Sequence, residues 1–312
     1  MVTVDWLATL STAVFTLINT MWWGMLLAII FVGLLGQIPQ SFIIAILGKG
    51  GSWQGLWRAT AAGVLLDLCS HGILMVGMQL YQRGASLGQV MAFLIASPWN
   101  SLSLTVIMVA LIGLKWTLLF VALSILVALL SGRMFDLLVK TGRLPANPNR
   151  IEINPNFRFW TEARARIAAT RLTPTLAGHI LLGGLRDSRM VMRWLLFGVV
   201  LAALIRTFVE VGAFQTWFGP TLAGLGLTLL AATVIEVCSE GSTPIAADLL
   251  TRARAPGNSF VFLMAGVSTD YTEVMSLRDT TQSWKIALFL PLLTLPQILL
   301  LGWLLNQTVT TL

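Results

Sequence analysis

Two short runs combine the residue types of a metal or proton site. Cys69-Ser70-His71-Gly72 and Cys238-Ser239-Glu240-Gly241 each set a thiol two residues before a second ligating side chain, and the chain has no other Cys. Asp67 and Glu236 stand two residues before the respective thiols. Thiolates favour soft ions and imidazole suits zinc and copper, so Cys69, His71, Cys238 and Glu240 form a candidate metal set of mixed sulfur, nitrogen and oxygen character. Asp67, Glu236 and Asp270 are candidates to bind a coupling cation or relay protons, because ionisable groups inside a membrane span are costly and read as functional. Ser70, Ser239, Ser97, Asn100 and Thr269 would add hydroxyl and amide contacts to a bound substrate. The competing structural reading treats the acids as helix caps and each Cys as a small buried hydrophobe. No Gly-rich phosphate loop or Ser/His/Asp set points to catalysis, so neither an enzyme nor a cofactor is expected.

Elements that could hold such groups must be apolar. Of 312 residues, 56% are hydrophobic and only 11% charged, with a mean hydropathy of +0.83. Soluble domains carry about 25% charged residues, so this composition excludes a soluble enzyme, a disordered chain and, with two Cys, a disulfide scaffold. The isoelectric point near 10.2 does not indicate nucleic acid, because 11 of the 20 Lys and Arg fall within residues 133–193 and instead mark one side of a membrane. The fold class expected is an all-α polytopic membrane protein.

Eight apolar segments are expected near residues 14–37, 55–82, 86–112, 116–138, 190–211, 221–250, 257–281 and 284–305. They divide into a first membrane repeat (1–139), a basic cytoplasmic loop (140–189) and a second membrane repeat (190–312). Met1 to Trp6 carries Asp5 and no Lys or Arg, so the first segment reads as a retained span rather than a cleaved leader. With the central loop inside, Arg83 and Arg252/Arg254 are also inside, Lys49, Arg58, Lys115, Arg278 and Lys285 are outside, and both termini are cytoplasmic, in a bacterial-type inner membrane. Arg206 and Glu210 read as a self-neutralised pair, and His179 as a surface residue of the central loop.

The halves match without a gap at an offset of 169 residues. Asp67 to Gly72 aligns with Glu236 to Gly241, Arg83 with Arg252, Gly88 with Gly257 and Phe93-Leu94 with Phe262-Leu263; nine of 34 aligned positions are identical. Apolar composition alone would not bring an acid, a Cys, a Ser and a Gly into register. Four spans per half imply a parallel repeat; one re-entrant segment per half would make it inverted. The Ser-x-Gly after each Cys weakens a helix near mid-membrane, and a second break is expected at Ser97 to Ser101 and at Gly266 to Asp270. Irregular backbone at that depth is tolerated where it lines a cavity. Four broken helices would form one polar site between pseudo-symmetric halves, the plan of many secondary transporters.

Cys69 to Gly72, Arg83 to Gly88 and Phe93 to Asn100, repeated as Cys238 to Gly241, Arg252 to Gly257 and Phe262 to Ala265, resemble the ArsP-like family of predicted permeases. The resemblance implies an eight-span exporter; some members expel trivalent organoarsenicals and others are associated with copper or zinc efflux. That family commonly has Cys-Ser-Cys-Gly, so Cys69 and Cys238 are kept while His71 and Glu240 replace the second thiols.

The first reading is therefore a secondary exporter of a soft metal or metalloid species. The alternative is a permease for a small anion or sulfur-containing organic solute, and a reading from another class is a membrane-embedded enzyme or accessory subunit. The partners implied are a small-molecule or ion substrate and membrane lipid, and a homo-oligomer is allowed.

Overall fold

The computed structural model describes residues 5–37, 40–66, 70–96, 102–150, 178–186, 217–235, 239–251 and 253–310, with isolated positions between 164 and 203. Among the described residues every regular element is a helix: α1 (Asp5–Gln37), α2 (Gln40–Leu47), α3 (Trp53–Leu65), α4 (Ser70–Gln82), α5 (Leu87–Ile95), α6 (Leu102–Ile112), α7 (Leu114–Lys140), α8 (Leu222–Ile235), α9 (Ser239–Thr251), α10 (Pro256–Thr269), α11 (Tyr271–Thr281) and α12 (Trp284–Thr310). Two described helices, α7 and α12, are long and apolar enough to cross a bilayer unaided. Four of the expected segments (55–82, 86–112, 221–250 and 257–281) are each two shorter helices. The break in the last is Asp270 alone, since α10 runs helical through Gly266 to Thr269. Likewise Ser70 to Gly72 and Ser239 to Gly241 are helical within α4 and α9, so the Ser-x-Gly runs do not interrupt these helices, and residues 67–69 and 236–238 lie outside the described residues. Segment 190–211 lies largely outside the described residues.

Spacing and capping recur along the chain. Helices α3 and α5 begin at 53 and 87, and α8 and α10 at 222 and 256, a constant separation of 169. Ser52 caps α3 by accepting from Gly55 N at 3.1 Å, and Thr221 Oγ1 accepts from Gly224 N at 3.0 Å at the start of α8. Gly88 N donates to Asp136 Oδ1 at 3.1 Å, tying α5 to the end of α7; Gly257 N donates to Asn306 Oδ1 at 2.8 Å, tying α10 to the end of α12. Gln89 Nε2 donates to the carbonyls of Leu47 and Gly48, and Asn258 Nδ2 to those of Phe218 and Gly219. At both crossings glycine is required: a Cβ on Gly88 would collide with Gly132 O, and one on Gly257 with Gly302 O.

These bonds gather the chain at two clusters. In the first, Asn147 Nδ2 donates to Tyr81 O at 2.6 Å and Ala85 O at 2.8 Å, Arg133 Nη1 donates to Gly51 O at 2.8 Å, and a Cβ on Gly50 would sit 2.5 Å from Ser86 Cβ. The start of α3 and the end of α4 therefore meet at one end of the bundle. The expectation that Lys49 and Arg83 lie on opposite faces is corrected: α3 and α4 form a hairpin, and its two ends return together. The second cluster joins Phe218-Gly219, the α9–α10 turn and Asn306 in the same manner. Phe120 precedes Asp136 by 16 residues, about 24 Å of helix, yet its ring packs on that of Phe260, three residues past Gly257, at 5.5 Å. The two clusters therefore stand at opposite ends of the bundle.

Burial runs inside out. Helices α4 from His71 to Tyr81, α5, and α10 from Pro256 to Ala265 are buried throughout, while α7, α8 and α12 expose large apolar side chains such as Leu118, Leu230, Leu292 and Leu300. Polar groups are kept within: Gln79, Ser124, Thr228, Asn258, Ser276 and Thr294 are all buried. An apolar exterior around buried polar groups suits lipid as solvent.

Candidate functional site

Four half-length helices begin inside the bundle. Helix α4 ends in the first cluster, and Ser70 lies 11 residues from Tyr81, about 16 Å deep. Helix α9 starts at Ser239 at a similar depth from the second cluster. Helices α6 and α11 follow α5 and α10, which start from the first and second clusters, and Asp270 separates α10 from α11. Their packing is reciprocal: α4 lies against α11, and α6 against α9, while α5 touches α10 and α7 touches α12. Each cross-contact thus has its counterpart under exchange of the halves, as in a two-fold, isologous interface.

A helix N-terminus leaves N–H groups unpaired and carries a partial positive charge. At α11 this end is capped by Asp270, 8% exposed, whose Oδ1 accepts from Thr272 N at 2.8 Å. Thr269 Oγ1 donates to Ala265 O at 2.8 Å and lies 2.9 Å from Thr233 Oγ1, so the ends of α8 and α10 meet beside the second-half breaks. His71 is in the first turn of α4 and 7% exposed. Asp67, Cys69, Ser97, Asn100, Glu236 and Cys238 lie outside the described residues, as do the side chains of Ser70, Ser239 and Glu240. Among the described residues, no three His, Cys, Asp or Glu side chains form a metal-ligand group. A cavity of about 970 Å³ lined by Ile29, Leu185, Arg186, Ser188, Arg189, Met192 and Leu196 adjoins α1 and includes none of these groups.

The sequence matches the family described as ArsP_1, predicted permease, over residues 6–307. The chain belongs to this permease family. It is therefore an integral membrane transporter, and the resemblance carried by the two Cys-Ser-x-Gly runs is borne out at family level. A curated UPF0718 protein of Methanocaldococcus jannaschii is 22% identical over 318 aligned positions, covering 84% of this chain and 85% of that protein. No solved structure matches.

Sequence reasoning passed over several groups that organise this permease. Glu273, 4% exposed in the first turn of α11, was legible as an acid within segment 257–281 and as the last residue of an Asp270-x-x-Glu273 capping pattern. Thr233 carried no signal of its own. The tie residues Gln89 and Asn258 differ in type between the halves, so a search for identities skips them.

Proposed function

We propose that this permease is a secondary transporter built as an inverted repeat, working by alternating access around the starts of α4, α6, α9 and α11. The carrying observation is reciprocity: α4 on α11 and α6 on α9, with equivalent ties at Gly88–Asp136 and Gly257–Asn306. Each half contributes three crossings (α1, α5–α6 and α7; segment 190–211, α10–α11 and α12) and one re-entrant hairpin. Three crossings are odd, so the second half enters the membrane from the opposite face.

Charge supports this topology. Lys49, Arg58, Arg83, Arg133, Lys140, Arg143, Arg150, Arg278 and Lys285 fall on the first cluster's face, with Lys115 and Arg254 on the other. That bias is stronger than the eight-span count and makes the first face cytoplasmic. The end of α12 then faces outward, in place of the cytoplasmic end expected from eight spans.

The substrate reading is a soft metal or metalloid species, exported after capture by Cys69 and Cys238 with His71 and Glu240 beside them. Asp67, Glu236 and Asp270 couple transport to a cation, and Ser70, Ser239, Ser97, Asn100 and Thr269 complete the site. The N-terminus of α11 inside the bundle favours a second reading, a small anion or sulfur-containing organic solute bound by N–H groups, with the Cys as packing.

A growth-sensitivity panel separates these readings. A host stripped of its own efflux systems would carry empty vector, wild type or the Cys69→Ser/Cys238→Ser variant, with membrane abundance checked. Challenges are zinc, copper, cadmium, arsenite and trivalent methylarsenical. Protection lost in the double variant supports the thiol site; protection that survives, or none from any challenge, discards it in favour of the anion or organic solute.

A further inference from the structure

Helix α11 is unlike its counterpart α6. Its sequence, Tyr-Thr-Glu-Val-Met-Ser-Leu-Arg-Asp-Thr-Thr, is mostly polar, whereas α6 is Leu-Ser-Leu-Thr-Val-Ile-Met-Val-Ala-Leu-Ile. At the 169-residue offset, Glu273, Ser276 and Thr280 correspond to Leu104, Ile107 and Leu111. Spacings of three and four residues set Glu273, Ser276 and Thr280 on one face of α11. That face is inside the protein: Glu273 is 4% exposed and Ser276 is wholly buried, within the packing of α11 against α4, α10 and α12. Ser276 Oγ and Thr280 Oγ1 are both buried, and neither has a hydrogen-bond partner among the described residues. Buried hydroxyls normally find partners, in protein or in water.

Direction follows from the neighbours. Asp270 begins the row deep in the bundle. At the other end α11 passes within four residues into α12, with Arg278 over the Trp284 ring at 5.3 Å, and from Trp284 a 22-residue run, about 33 Å, leads to Asn306 in the second cluster. The row therefore ends on the first cluster's face. The titratable groups on the helices packed against α11 are His71 and Tyr81 on α4 and Lys285 on α12, with none on α10; on α11 itself Asp279 pairs with Arg278 at 2.7 Å, and Glu273 is the carboxylate of the row it forms with Ser276 and Thr280.

We propose that α11 lines a water-accessible half-channel from the central site to the first cluster's face, with Ser276 and Thr280 hydrating the path and Glu273 holding the cation that travels it. This deepens the transporter reading by naming the coupling route, and confines it to the second half.

The test needs no transported substrate, so its failure is distinct from failure of the substrate assignment. In full-length chain with Cys69 and Cys238 replaced by Ser, Ser276→Cys and Thr280→Cys would be challenged in sealed vesicles with a trimethylammonium methanethiosulfonate and an anionic sulfonate analogue. Met275→Cys, on the opposite face of α11, is the control. Both path positions should label from the first cluster's face and Met275→Cys should not, with a cationic-to-anionic rate ratio about tenfold above that of a free thiol, as expected beside a confined carboxylate. Adding Glu273→Gln should bring the cationic-to-anionic rate ratio down to that of a free thiol. Should Ser276→Cys fail to reach the membrane, Thr280→Cys alone reads the path. Absence of labelling at the path positions overturns the channel, and a rate ratio unchanged by Glu273→Gln overturns the role of Glu273.

Discussion

The two halves of this permease agree in their joints and differ in their interiors. The starts of α5 and α10 are each pinned by a glycine N–H to the end of a long helix, and each is followed by an amide side chain that clasps two carbonyls before the preceding hairpin. Between those joints, α6 is apolar where α11 carries an acid and buried hydroxyls. Backbone geometry is thus held in common by a few ties, while side-chain chemistry has been free to diverge. A transporter needs matched halves to exchange conformations, but only one polar route to couple them.

The largest expected effect tests the shared joints. Gly88→Ala and Gly257→Ala each force a Cβ into a carbonyl of the crossing helix, so both should destabilise by about 3 kcal/mol, near the upper end for overpacking. Gly266→Ala, with nothing near its Cβ, should be neutral or stabilising by up to about 1 kcal/mol. Unfolding midpoints of the detergent-solubilised chain measure all three, and tolerance at one crossing alone would break the equivalence of the halves.

Next comes an asymmetry within a shared joint. Asn306 accepts from Gly257 N and donates through Nδ2 to Asn258 Oδ1 at 2.8 Å, whereas Asp136 receives from Gly88 N. Asn306→Asp removes the donor and sets a carboxylate against an amide oxygen, costing about 2–3 kcal/mol, while Asp136→Asn keeps the acceptor and should cost less than about 1 kcal/mol. Equal losses in the same unfolding assay would contradict this account of the tie.

The smallest effect sharpens the match. Gln89→Ala and Asn258→Ala each release two carbonyls, and each should cost about 1–2 kcal/mol. Similar shifts in midpoint show that side chains of different length hold the two joints alike; a loss confined to one half shows that the clasp of the other half contributes nothing.

Much of this was legible in the sequence, and the omissions have physical causes. The register of Gly88 with Gly257 anticipated the matched starts of α5 and α10, and Asp270 marked a true break, whereas Ser97 to Ser101 lies outside the described residues. Hydropathy reports length and not direction, so residues 55–82 read as one span although α3 and α4 turn back on themselves. The side assigned to Lys49 inherited that error. Only long-range bonds, from Gln89 to Leu47 and from Asn147 to Tyr81, reveal the return, and neither has a local pattern. Glu273 was within reach through its capping spacing. The roles of Ser276 and Thr280 depend on burial, which sequence does not state.

The central claim is that α3–α4 is a re-entrant hairpin within an inverted repeat. In the Cys69→Ser/Cys238→Ser background, single Cys at Lys49, Gln82 and Thr251 would be labelled with a membrane-impermeant thiol reagent in right-side-out and inverted vesicles. The inverted repeat predicts positions 49 and 82 on the same side and position 251 on the other. Labelling of 82 and 251 from one side, with 49 alone on the opposite side, would restore eight full spans and contradict it.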